Sequence, residues 1–158
     1  MAVDPSVIEP NRCNCSALRK ATRRMSQFYD AALAPSGLRG TQYSILSDLT
    51  RRGDAPPTIR ELSEAMVLDQ STIGQNLRPL EREGLIELVQ DDADRRSRRI
   101  MLTKAGRARY LQARPLWAEA QSHFEKGFGV RAAAELRELL AGIANDPSLV
   151  GEGEASHA

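Results

Sequence analysis

Three groups of residues in this 158-residue chain have the types and spacing to do chemistry. The first is Asp94-Arg95-Arg96-Ser97-Arg98-Arg99, which lies between two short apolar segments, Leu85 to Val89 and Ile100 to Leu102. A hairpin with so cationic a tip suits phosphate, and above all the minor groove of a duplex, where phosphates on both walls deepen the negative potential. The second group is Ser71, Thr72, Gln75, Arg78 and Arg82. On a helix, Ser71, Gln75, Arg78 and Arg82 share one face, with Thr72 at the exposed first turn. Their hydroxyl, amide and guanidinium groups are those that exchange hydrogen bonds with base edges and phosphates. The third is Cys13 and Cys15. A thiolate at a helix start, with Arg19 close by in sequence, is a form that peroxide oxidises to sulfenic acid.

Other chemistries find no residues to carry them. There is no nucleophile with a base at hand and no phosphate-binding loop, so an enzyme is not expected, and no cofactor. Two cysteines one residue apart do not complete a tetrahedral metal shell, and His123 and His157 lie far off in sequence. Met25, Tyr29, Tyr43, Tyr110 and Trp117 are candidates to line a small-molecule pocket, with Arg19 or Arg23 as the charge partner of an aromatic acid; each is equally at home in a packed core.

The charge pattern agrees with a local anion site. Net charge is only +1, yet Gln90 to Tyr110 holds seven Lys or Arg against three Asp. No apolar run approaches membrane-spanning length, Met1 to Arg12 lacks the apolar stretch of a secretory signal, and the cysteines make no disulfide framework. A cytoplasmic protein is expected.

The elements that would position these groups follow from apolar spacing and caps. Asn14 or Ser16 caps a first helix to about Leu33, with Leu18, Ala21, Met25 and Phe28 as its stripe, stopped by Ala34-Pro35-Ser36-Gly37. Thr41 to Leu49 forms a second, with Tyr43, Leu46 and Leu49 inward. Thr58 caps a third helix, with Glu61 at capping-box spacing and Ile59, Leu62 and Met66 on its core side. Asp69 caps a fourth, Gln70 to Glu83, whose buried stripe is Ile73, Leu77 and Leu80; Pro79 should bend it locally, and Gly84 ends it. The hairpin comes next. A long helix then runs from Lys104 to about Phe128, interrupted in signal at Pro115, and a last helix from Arg131 to Ala144 carries Leu136, Leu139, Leu140 and Ile143.

The fold class expected is mainly α with a small β-hairpin wing: a winged helix-turn-helix core at about 41–103, and dimerisation helices at about 16–34 and 104–144. These make a single domain over 16–146, with a flexible arm at 1–15 and a flexible tail at 147–158. The outer apolar stripes need a partner, and a homodimer is the economical one. It would place two reading helices on successive turns of a pseudo-palindromic duplex.

Leu62-Ser-Glu-Ala-Met66, Asp69-Gln-Ser-Thr-Ile-Gly-Gln-Asn-Leu77, Leu80-Glu-Arg-Glu-Gly-Leu-Ile86, and Asp94-Arg-Arg96 leading to Leu102-Thr-Lys-Ala-Gly106 occur in an order and spacing that resemble the MarR family of dimeric winged-helix transcription regulators. The resemblance covers about Leu18 to Ile143. It implies that the helix after Asp69 enters the major groove, that Arg96 enters the minor groove with Asp94 orienting it, and that Arg95, Arg98 and Arg99 lie nearby. It also implies a small effector between the dimer helices and the reading lobe, and repression as the commoner mode. Cys15, with Tyr29 fourteen residues on, resembles the hydroperoxide-sensing branch of the family, although Arg19 and Gly40 stand where that branch has additional tyrosines.

Overall fold

The computed structural model describes residues 12–149. The expected arm over residues 1–11, and the part of the tail at 150–158 that includes His157, lie outside the described residues. Six helices and one antiparallel hairpin follow in the order expected: α1 (Asn14–Leu33), α2 (Gly40–Arg52), α3 (Ile59–Met66), α4 (Gln70–Arg82), β1 (Ile86–Gln90), β2 (Arg98–Leu102), α5 (Lys104–Phe128) and α6 (Val130–Ala144).

Helix α1 is capped by Cys13, whose Sγ accepts from the Ser16 N–H at 3.4 Å, rather than by Asn14 or Ser16, so the helix starts earlier than its apolar stripe suggests. It ends in a short 3-10 turn, Ala34–Ser36, closed by Gly37 at φ +75°, a backbone conformation that glycine adopts without strain. Asp30 of α1 accepts the Gly40 N–H at 2.7 Å and ties the start of α2 to α1. Helix α2 runs on to Arg52 instead of stopping at Leu49, because its last turn is held by Asp48 bonding both Arg51 and Arg52.

The capping box on α3 forms as its spacing predicts. The Glu61 N–H donates to the Thr58 hydroxyl at 3.1 Å, and the Thr58 N–H donates to the Glu61 carboxylate at 2.7 Å. Asp69 caps α4, which continues through Pro79 to Arg82. Leu62, Ile73, Leu77 and Leu80 from these two helices enter a core shared with Leu33, Ile45, Leu46 and Leu49. Leu85, Ile86 and Ile100 close it from the hairpin side.

The hairpin pairs Ile86 with Leu102, Leu88 with Ile100 and Gln90 with Arg98. Strand β2 therefore begins at Arg98, two residues before the apolar segment does, because Val89 and Gln90 offer partners across the ladder. The segment before α3 adds to the sheet: Thr58 bridges Arg99, and the Ile100 N–H donates to the Pro57 carbonyl at 2.9 Å.

Helix α5 is joined hard to the end of α4. Thr103 caps α5 through Gly106 at 3.0 Å, and its hydroxyl lies 2.7 and 3.0 Å from the carbonyls of Gly84 and Leu85. Gly106 packs so closely that a Cβ there would fall 2.0 Å from the Leu85 carbonyl oxygen. Helix α5 is unbroken at Pro115 and packs along α1 and α2. Tyr43 stacks between Tyr110 and Trp117, with ring centroids 5.4 and 5.9 Å away. Helix α6 folds back on α5 but leaves Leu139 68%, Leu140 39% and Ile143 47% exposed.

Candidate nucleic-acid interface and cavity

Helix α4 buries Ile73, Leu77 and Leu80, and this sends Ser71, Gln75, Arg78 and Arg82 to the exposed side with Thr72 half-buried at the first turn. The cap organises that first turn. Asp69 accepts the Thr72 N–H at 2.8 Å, the Ser71 hydroxyl at 2.6 Å and the Thr72 hydroxyl at 2.6 Å. These bonds, the Ser71 and Thr72 hydroxyls first, hold the Asp69 carboxyl well below the usual carboxylate range. With their protons committed to Asp69, Ser71 and Thr72 present lone pairs outward, so they suit donors on base edges better than phosphate oxygens. Arg78 and Arg82 are exposed and make no ion pair among the described residues.

The hairpin tip is a tight, internally bonded turn. The Asp91 N–H donates to the Ser97 carbonyl at 3.0 Å, and the Ser97 N–H to the Asp94 carbonyl at 2.8 Å. Asp94 accepts the Arg96 backbone N–H at 3.0 Å, so it orients Arg96 through the main chain and not through its guanidinium. Gln90 donates to the Arg95 carbonyl at 2.8 Å. Arg95 and Arg96 of the internally bonded turn and Arg98 at the start of β2 stand exposed with no ion pair among the described residues.

Arg99 behaves differently. Its Nε lies 2.9 Å from Asp91, its Nη1 donates to the Pro56 carbonyl at 2.7 Å, and Glu61 stands 3.9 Å away. The Arg99 hydrogen bond is the main reason the Asp91 carboxyl sits below its ordinary range. Asp91 and Arg99 thus pin the wing to the segment ahead of α3. Sequence reading did not find this pair, because the Pro56 carbonyl is 43 residues away and carries no side-chain signal.

A second feature lies behind α4, a cavity of about 610 Å³ to which all six helices contribute, α3 through Met66. Met25, Tyr29, Tyr43 and Trp117 line it, together with Leu33, Arg39, Asn76 and Leu136. Arg19 and Arg23 are exposed on α1 and are not part of the lining, and Tyr110 acts through its stack on Tyr43. Arg39 was not anticipated, since it stands alone in the connection between α1 and α2. Burial first, and Tyr110 second, raise the Tyr43 phenol, and burial followed by Glu125 raises that of Tyr29, so both stay neutral. The Tyr29 hydroxyl donates to Gln121 at 2.5 Å.

Cys13 and Cys15 are both free and exposed. Tyr29 lies fourteen residues further along the same helix, about 21 Å by helical rise, and does not reach Cys15 within the chain. No three His, Cys, Asp or Glu among the described residues are grouped to hold a metal ion, and none of the helices is long and apolar enough to cross a membrane.

The family model described as MarR family matches residues 36–97, which span α2 to the wing tip. No curated protein matches. Among solved structures, the chain is similar to the M. tuberculosis transcriptional regulator MosR in complex with DNA, with 34% identity, a TM-score of 0.75, and coverage of 84% of this chain and 94% of that one. It resembles in fold CouR from Rhodococcus jostii RHA1 bound to p-coumaroyl-CoA, at 23% identity and TM-score 0.74 over 92% of this chain and 100% of that one. It also resembles in fold Bordetella bronchiseptica BpsR, whose DNA binding is regulated by 6-hydroxynicotinic acid, at 22% identity and TM-score 0.74 over 85% and 95%.

Proposed function

Because this chain belongs to the MarR family of transcription regulators, we propose that it is a homodimeric, sequence-specific DNA-binding repressor released by a small ligand. The observation that carries the reading is the wing tip, where Arg95 and Arg96 on an internally bonded turn and Arg98 beside it are exposed with no ion pair to any described acid. Three such groups facing solvent are free to pair with phosphates and release their counterions. Arg96 enters the minor groove, and Ser71, Thr72, Gln75 and Arg78 read the adjacent major groove, with Arg82 on the backbone. The partners are a pseudo-palindromic duplex and a second copy of the chain. Residues 41–103 form the reading lobe, and 16–34 with 104–144 form the dimer helices. The protein works in the cytoplasm and is not an enzyme.

The cavity supports the ligand. It is large enough for a small aromatic molecule, Asn76 of the reading helix is part of its wall, and of two proteins of similar fold one is bound to p-coumaroyl-CoA and the other has its DNA binding regulated by 6-hydroxynicotinic acid. Ligand acts by favouring a dimer geometry in which the two reading helices no longer match successive grooves.

The test is a fluorescence-anisotropy titration of the DNA upstream of the protein's own gene at several salt concentrations. Binding should be tight, and log K should fall linearly with log salt. Arg96→Glu should abolish it while the dimer persists in sedimentation. Unchanged binding by that variant overturns the wing assignment.

The exposure of both thiols favours a second reading, oxidation at Cys15. A hydroperoxide would convert the Cys15 thiol to sulfenic acid and leave as the alcohol; the Cys13 thiol would then condense with it, releasing water. DNA release by cumene hydroperoxide, reversed by dithiothreitol and lost in Cys15→Ser, is the expected result. Normal oxidant response in Cys15→Ser removes this reading.

A further inference from the structure

We infer that Arg109 is a positioning residue for DNA reading: it sets the angle at which α4 stands on the scaffold of α1 and α5, and through that angle the half-site spacing the protein accepts. The inference rests on the dimeric regulator proposed above and specifies what holds its reading helices in register.

Arg109 lies in α5, one turn beyond the close contact at Gly106. Its Nη1 donates to the Ser36 carbonyl at 3.1 Å and to the Glu83 carboxylate at 3.3 Å. Ser36 belongs to the 3-10 turn that closes α1, and Glu83 is the residue on which α4 ends. A single nitrogen with two hydrogens therefore joins the ends of α1 and α4 to the side of α5.

The α1 side of this tie is firm. Ser36 is buried, and its hydroxyl donates to the Leu33 carbonyl at 2.7 Å and accepts the Leu38 N–H at 3.3 Å. Gly37 beside it leaves room for the guanidinium, since a Cβ there would stand 3.2 Å from Nη1.

The contacts between α5 and the end of α4 differ in what they constrain. Thr103 and Gly106 fix the point at which the two helices meet. A single point of contact leaves rotation about it free. Arg109 opposes that rotation, because its second acceptor belongs to the end of α1. In a dimer the same angle enters twice. One base pair more or less between half-sites turns one by about 35° and moves it by about 3.4 Å relative to the other. A lobe held by Arg109 matches one spacing, and a lobe released from it follows several.

The test uses duplexes carrying the site that the wild-type protein selects, with its half-sites at the selected spacing, one base pair closer, or one base pair farther apart. Fluorescence anisotropy gives the affinity of the full-length protein for each. Wild type should prefer one spacing. In Arg109→Met that preference should shrink by about three- to tenfold, the worth of a half-exposed charged hydrogen bond. The salt slope should stay the same, because no phosphate contact is lost. Arg109→Lys should recover part of the preference, since an ammonium also offers several donors from one nitrogen. Glu83→Ala should loosen the spacing to a similar degree, and the double variant no further than Arg109→Met, because both changes break one bond.

A residue that only stabilises the fold would lower the melting temperature and leave the spacing preference intact, which overturns the inference. So does a salt slope lower by about one, which makes Arg109 a phosphate contact, or indifference of the wild type to spacing. If Arg109→Met does not fold, Glu83→Ala decides by the same readout. Intact DNA binding with an unchanged spacing preference sinks only this inference, whereas absent specific DNA binding by the wild type sinks the regulator itself.

Discussion

At the scale of single residues, α4 and the wing would divide their labour by chemistry in the proposed complex with DNA. Gln75 has both donor and acceptor free on the exposed face of α4, whereas Ser71 and Thr72 have given their hydroxyl protons to Asp69. Gln75→Ala should therefore relax discrimination at one base pair, at a cost of about 1–3 kcal/mol against the preferred base, with little change in salt dependence. Arg96→Ala should weaken binding to all sequences alike and lower the salt slope by about one. A binding-site selection with each variant, repeated at two salt concentrations, checks both. Asp69 adds a pH dependence whose sign follows from its lowered pKa. Its carboxylate stabilises the fold fully above the unfolded carboxylate range. That contribution fades as pH falls from there toward the lower folded value. Melting temperature should thus drop on acidification, and less steeply in Asp69→Asn.

At the scale of elements, the joint between α4 and α5 and the moored wing hold the interface together. Gly106→Ala would drive a Cβ into the Leu85 carbonyl and against Leu102, and should destabilise by about 1–3 kcal/mol or more, read as a lowered denaturation midpoint. Arg99→Met should cost DNA affinity although the Arg99 guanidinium is engaged by Asp91 and the Pro56 carbonyl. If the pair with Asp91 and Pro56 moors the wing, its loss frees Arg95, Arg96 and Arg98 together, and the salt slope should fall by more than the single unit expected of one lost contact. A drop of one or less would mean that Arg99 is merely another cation. The helices themselves were legible, because Thr58 with Glu61, Asp69 ahead of Ile73, and Gly84 after α4 are local signals read within a few residues. The exposed faces of α4 and the wing were equally legible from period and charge. The mooring of Arg99, the Cys13 cap and the placing of Arg39 in the cavity wall were not. Each depends on a backbone group or on a neighbour brought in by tertiary packing, and neither leaves a pattern in the chain.

At the scale of the whole molecule, α6 shows what a single chain leaves unfinished. Leu139, Leu140 and Ile143 lie on one exposed side of it, a row that a lone soluble chain has reason to bury. Leu139→Glu should yield a folded monomer in sedimentation and abolish specific DNA binding, since two half-sites are then no longer bridged; a dimer that persists would move the interface elsewhere. The tight packing at Gly106 gives such an assembly a mechanical property. Helix α5 is 25 residues long, about 37 Å by helical rise, and it is fused at one end to the turn that ends the reading helix. In the proposed dimer it would be a lever arm with almost no play where it meets the end of α4. A swing of about 5° at the subunit contact becomes a displacement of about 3 Å at α4, close to the 3.4 Å rise of one base pair. In that assembly, changes too small to disturb the core would be geared up into a shift of one step along the duplex.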